Sequence, residues 1–175
     1  DAIMISIGIS NFAAKVKNSR ARIVSLMEVE LEAELCFTVY SENKNVTIET
    51  KVIDGVLLIS QKDKRKFYDK LLDFSDFDVN LYLSKELINT LNINGSTGDI
   101  EIEKGFSFNY VNISNSTGDV EFRGNVTNDI TIIGSTGDIE LEDSDISGHL
   151  NIQTNTGDIN LINITCYKLD IKGEK

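Results

Sequence analysis

Four aspartates recur behind the same two residues: Thr97-Gly98-Asp99, Thr117-Gly118-Asp119, Thr136-Gly137-Asp138 and Thr156-Gly157-Asp158. Their glycines lie 20, 19 and 20 residues apart. Carboxylates repeated at one spacing have three kinds of chemistry open to them. They can move protons in pairs, supply oxygen ligands to a cation, or accept hydrogen bonds from backbone N–H groups in the turn that holds them.

Proton transfer on a polymer, the chemistry of pectin-degrading β-helices, needs paired carboxylates with Arg, Lys or His close by in a groove. The single histidine, His149, lies in the segment Ser147-Gly148-His149-Leu150, and the aspartates recur with the repeat instead of departing from it. No nucleophile elbow, phosphate loop or zinc spacing is present, so no catalytic residue and no enzyme activity are expected. A calcium column of the β-roll kind needs a nonapeptide with two glycines and aspartates on both sides of the coil. One Asp per repeat does not meet that demand. No metal ligand and no cofactor are expected, and calcium at the Asp column is the one cation to test. The third chemistry fits: each glycine takes a left-handed turn conformation while Thr and Asp side chains bond neighbouring N–H groups. Such bonds would offset a repulsion of roughly 1 kcal/mol between carboxylates stacked ~5 Å apart.

What positions these turns is an apolar register. Leu91, Val111, Ile130, Leu150 and Leu169 align, as do Ile93, Ile113, Ile132, Ile152 and Ile171. Beyond each turn come Ile100, Val120, Ile139 and Ile159, then Ile102, Phe122, Leu141 and Leu161. Each repeat therefore has two i, i+2 pairs, the mark of two short strands with one face inward. Burying four side chains gains roughly 1.5–3 kcal/mol each. Ordering a repeat of about 20 residues costs ~1–2 kcal/mol per residue. A lone coil cannot fold, whereas stacked coils ~4.8 Å apart share one core and one hydrogen-bond ladder. The return loops should add a third side through Phe108, Val126, Ile146 and Ile164. The predicted fold is all-β: a single-stranded right-handed parallel β-helix (β-solenoid) of four to five coils over residues 91–175, the hand following the crossover preference.

Residues 1–90 read as an irregular β-rich region that caps or continues this solenoid within one structural domain. Ile3 to Ile9 is a short apolar strand with no basic segment before it, and so neither a signal peptide nor a membrane span. Val29, Leu31, Ala33, Leu35, Phe37 and Val39 alternate with glutamates, predicting a strand with a wet acidic face. Asp54-Gly55 between apolar runs predicts a hairpin. Gln61 to Phe74 reads as a surface helix or long loop, Phe77 to Leu83 as a half-buried strand, and Ser84 to Asn89 as one capped helical turn.

The chain has 175 residues, 41% apolar and 26% charged, which is a globular composition. Its net charge of −11 repels phosphate backbones and anionic lipid, so nucleic acid is excluded as an expected partner. Cys36 and Cys166 match no metal or redox spacing; two buried thiols are expected, with a disulfide the alternative.

The repeated Ser/Asn-Thr-Gly-Asp-Ile/Val segments, each preceded by an apolar-x-apolar strand, together with Phe77-Asp78-Val79-Asn80-Leu81-Tyr82-Leu83 before the first coil, resemble the adhesin-like family of bacterial β-strand-repeat domains. The resemblance covers about Phe77 to Ile171. It implies a domain of unknown function with a single-stranded β-helix, common in Firmicute envelope proteins. It also implies a cell-envelope or extracellular setting, with a signal or anchor upstream in many members, and no catalytic residues.

Two surfaces are candidates for partners. Glu101, Glu121, Glu140 and Asn160 form one outward column, with Glu103, Arg123, Glu142 and Ile162 beside it. Together with Phe106 and Phe108 of the variable loop they could form a ligand surface for a glycan or a protein. The alternative is a solvated acidic face, with the phenylalanines packed beneath their own loop. The last coil ends at Ile171, where a solenoid exposes strand edges, so either the charged tail 172–175 covers that end or two chains stack end to end as a homodimer. The expected function is a noncatalytic envelope scaffold or interaction module. Alternatives are a carbohydrate-binding adhesin, an ectodomain sensing envelope stress and, least supported, a polysaccharide-degrading enzyme.

Overall fold

Each coil carries a strip of inward apolar side chains with nothing of its own to bury them against, and the chain meets this by stacking coil on coil in parallel. A computed structural model describes residues 4–8, 21–25, 36–41, 46–53, 56–63, 77–83 and 88–173. Among the described residues there are fourteen strands, and no helix is long and apolar enough to cross a membrane.

The first side of the solenoid is built by β7 (Ile88–Gly95), β9 (Ser107–Thr117), β12 (Ile130–Thr136), β13 (Ile139–Thr154) and β14 (Ile159–Gly173). Their register runs Leu91, Val111, Ile130, Leu150, Leu169, all parallel, as the repeat predicts. The second side joins β8 (Ile100–Ile102) and β10 (Val120–Phe122) to the starts of β13 and β14, with Ile100, Val120, Ile139 and Ile159 in line. Inward side chains are fully buried from Leu91 to Ile152 on the first side and from Ile100 to Leu141 on the second, where Ile159 and Leu161 of the next coil pack half-buried against the core.

The third side departs from the expectation in one residue. It aligns Phe108, Val126 of β11 (Asn125–Val126), Ile146 and Cys166. Ile164 lies one inward position earlier, opposite Ser144, and packs half-buried against the core. The reason is the preceding corner: Asp143 and Asn163 both take left-handed conformations, φ 49° and 52°, and close the turn early enough that two inward positions follow it. Cys166 is a free, half-buried thiol; the side chain of Cys36 lies outside what is described.

The N-terminal region both continues and closes the stack. β2 (Ala21–Ser25) lies parallel to β8, Ala21 opposite Ile100, and β6 (Phe77–Leu83) lies parallel to β2. Antiparallel strands finish that end: β3 (Cys36–Ser41) on β6, and β1 (Met4–Gly8) on β7. β4 (Val46–Ile53) and β5 (Val56–Asp63) form the predicted hairpin, Ile53 pairing with Val56 across Asp54-Gly55, and β5 docks on β1.

Two sequence expectations shift here, and a third falls partly outside the described residues. Gln61, Lys62 and Asp63 belong to no helix or loop, because the hairpin ladder extends through them opposite Ile48, Thr47 and Val46; residues 64–74 lie outside the described residues. Ile88 and Asn89 begin β7 instead of ending a helical turn, since Ile88 already pairs with Phe108; residues 84–87 are outside as well. Of the strand expected from Val29 to Val39, the described portion begins at Cys36.

Candidate functional site

The Thr-Gly-Asp corner is where the sequence pointed first. Its glycines have φ of 115° at Gly98 and Gly118, 128° at Gly137 and 131° at Gly157, a region that side chains rarely enter. Space is equally restrictive. A Cβ at Gly137 would stand 2.3 Å from Gly118 O, and one at Gly118 2.4 Å from Gly98 O. Each of these two glycines thus lets one coil settle directly onto the backbone of the coil before it.

The aspartates complete that contact. Asp119 N–H donates to Asp99 Oδ1 at 3.0 Å, Asp138 N–H to Asp119 Oδ1 at 2.8 Å, and Asp158 N–H to Asp138 Oδ1 at 2.8 Å. Threonine contributes its carbonyl: Gly98, Gly118 and Gly137 N–H donate to Thr117, Thr136 and Thr156 O at 2.9, 3.0 and 3.0 Å. At this corner the peptide planes turn out of the ladder, and the carboxylate stands in for the carbonyl that no longer reaches. Two other corners use the same substitution, Asn125 Oδ1 accepting from Asp145 N–H at 3.0 Å and Asp129 Oδ1 from His149 N–H at 2.8 Å. Among the described residues, no group of three His, Cys, Asp or Glu side chains is placed to hold a metal ion.

Inside the corner lies a polar column that sequence reasoning missed. Asn115 is buried, and its Nδ2 donates to Gly98 O at 2.9 Å and Gly118 O at 3.2 Å. It is flanked in register by Gly95 and Gly134, and a Cβ on Gly95 would lie 2.4 Å from Asn115 Oδ1. A pair of coils further along, Thr154 is buried in the same role, donating from Oγ1 to Thr156 O at 3.4 Å. The available signal was the alternation Gly95, Asn115, Gly134, Thr154 immediately before each turn: a side chain enters the core only where its neighbours have none.

The acidic column is real but internally compensated. Glu101, Glu121 and Glu140 stand in register, and Arg123 reaches across them. Its guanidinium lies 2.8 Å from Glu142, 3.1 Å from Glu121, 3.8 Å from Glu140 and 4.0 Å from Glu101. The hydrogen bond to Glu142, opposed by partial burial and helped by the charges of Glu121 and Glu101, raises the Arg123 pKa above its ordinary value.

Phe106 and Phe108 do not reach the surface. Both are fully buried, packed with each other and with Phe122 at ring-centroid distances of 6.1 and 6.0 Å. The loop is short enough to fold its aromatics under itself, and Gly124 makes the room, since a Cβ there would press on Phe108 and Phe122 at 3.0 Å. The most exposed aromatic among the described residues is elsewhere: Tyr167, 81% exposed, stacks on His149 with ring planes 10° apart. His149 borders an open polar groove on the outer face of the first side, lined also by Asp129, Thr131, Asn151, Asp170 and Lys172.

Among known proteins, the family model described as Toastrack DUF4097 matches residues 26–175. No curated protein and no solved structure matches.

Proposed function

The chain belongs to the Toastrack DUF4097 family, and we propose that it serves as a noncatalytic β-solenoid scaffold or interaction module at the cell envelope or cell exterior. One observation carries this reading. The carboxylates that first suggested chemistry are engaged in holding coils together: Asp99, Asp119 and Asp138 accept backbone N–H groups from the following coil, and Glu101, Glu121, Glu140 and Glu142 gather round Arg123. A catalytic acid or base acts through an oxygen free to meet substrate, and Oδ1 of Asp99, Asp119 and Asp138 is already engaged by the fold. The net charge of −11 keeps nucleic acid off the list of partners.

Two measurements test the reading. Polygalacturonate incubated with the protein should release neither reducing ends nor unsaturated product. Fractionation of cells that make the protein should recover it with the envelope or the medium; recovery confined to the cytosol would sink the localisation.

A second reading, carbohydrate binding, loses the loop phenylalanines but gains a different support: an exposed tyrosine beside a groove of hydroxyl, amide and carboxylate groups, a combination suited to a sugar ring. Glycan-array binding abolished by Tyr167→Ala would favour it. Binding indifferent to that change would remove it.

A further inference from the structure

The two ends of the described stack are built differently. At the first end antiparallel strands close the stack, β3 on β6 and β1 on β7. At the last end, among the described residues, β14 pairs with β13 alone. Its fifteen residues keep a second edge of N–H and C=O groups that nothing among those residues fills. Core positions lie open with it. Leu169 and Ile171 are 45% and 47% exposed, where Leu150 and Ile152, their counterparts one coil earlier, are fully buried.

In a chain of net charge −11, the charged residues of this strand are Lys168, Asp170 and Lys172. Lys168 and Asp170 follow the outward register of His149 and Asn151, while Leu169 and Ile171 follow the inward register of Leu150 and Ile152. The strand thus offers an apolar inner row and an outer row of alternating sign.

We propose that the β14 edge seats the β14 edge of a second copy of this chain across a two-fold axis at Leu169. Two-fold symmetry makes the paired strands antiparallel. An axis at Leu169 sets Lys168 of each copy beside Asp170 of the other, Leu169 against Leu169, and Tyr167 near Ile171. The pattern is self-complementary in sign and in polarity. Within one chain Lys168 already pairs with its own Asp170, so the second copy meets both groups in place. Head-to-tail stacking fits less well, because the antiparallel strands at the first end do not repeat the coil and would not continue its core columns. This names one partner for the module proposed above; a monomer would overturn the pairing and leave that module's other partners open. The seat also covers Tyr167, so a dimer and a saccharide on that ring exclude each other.

The test is sedimentation equilibrium of this chain from about 1 to 100 μM, a range that spans micromolar self-association. The wild type should approach twice 19.5 kDa. Lys168→Asp sets two aspartates against two and should weaken association at least tenfold, with melting of the monomer little changed. Adding Asp170→Lys exchanges the signs and should restore the dimer. A wild type that stays monomeric overturns the proposal, as does a dimer indifferent to Lys168→Asp. So does a folded double variant that fails to recover, or a mass that grows past the dimer with concentration.

Discussion

Asp138 N–H donates to Asp119 Oδ1 at 2.8 Å, from one coil to the coil before it, and the same bond recurs between Asp119 and Asp99. The carboxylate column is therefore a column of acceptors, each one coil out of phase with the donor it serves. That relation makes the Thr-Gly-Asp repeat a joint between coils.

Removing one acceptor should show it. Asp119→Ala strands the Asp138 N–H at a partly solvated corner and should lower stability by about 1 kcal/mol, the net worth of one such bond. Asp119→Asn keeps an oxygen in place and should lose less. Urea unfolding of both variants measures the difference.

The glycines separate two costs. Gly98→Ala meets the unfavourable φ alone, since nothing lies within 4 Å of its Cβ, and should cost roughly 1–3 kcal/mol. Gly137→Ala meets that φ and Gly118 O at 2.3 Å, adding overpacking of about 1–3 kcal/mol. Gly137→Val should be worse than either. If the two alanine variants melt together, the close stacking at the corner is wrong.

Calcium offers a direct check on the column, because an ion there would bind the same carboxylates that accept the backbone N–H groups. Titration with millimolar calcium should give no heat and no shift in melting. A stabilisation that saturates with calcium would reopen the cation reading.

Arg123→Met leaves Glu101, Glu121, Glu140 and Glu142 without their shared cation, and should destabilise by about 1–2 kcal/mol at low salt. Added salt should recover some of the loss by screening the remaining repulsion, which thermal melts from low to high ionic strength would reveal. Arg123→Lys should recover less than the charge suggests, since an ammonium cannot span several carboxylates as the planar guanidinium does.

The Lys168 ammonium, hydrogen-bonded to Asp170, holds that carboxyl below its ordinary value. A lowered carboxyl stabilises the fold above its unfolded-state value of about 3.9, and the contribution fades as pH falls through the lower folded-state value. Carboxyl NMR titration should place the Asp170 midpoint below the usual range, and Lys168→Ala should return it.

The solenoid was legible because its signal is internal. Four apolar columns at one spacing admit a single register, and a one-residue slip would turn every inward side chain to solvent. The same period located the corner, since only glycine tolerates the φ found there. The acidic column was also readable, but its meaning was not: Arg123 lies only two residues after Glu121 in sequence, and nothing linear says that it serves Glu101, Glu140 and Glu142 as well. Phe106 and Phe108 were ambiguous for a related reason. A loop aromatic can face out or fold under, and the choice fell to Gly124, which leaves the space beneath Phe108.

Sequence by itself therefore determined the repeat, the strand pairs and the turn chemistry, because these follow from local periodicity and from φ limits set within single residues. Tertiary structure alone decided what each outward or polar side chain does. Asn115 could be seen as a corner brace, Arg123 as a shared cation and Tyr167 as an exposed ring only once the coils were stacked, since residues about 20 apart in sequence become neighbours about 4.8 Å apart only then.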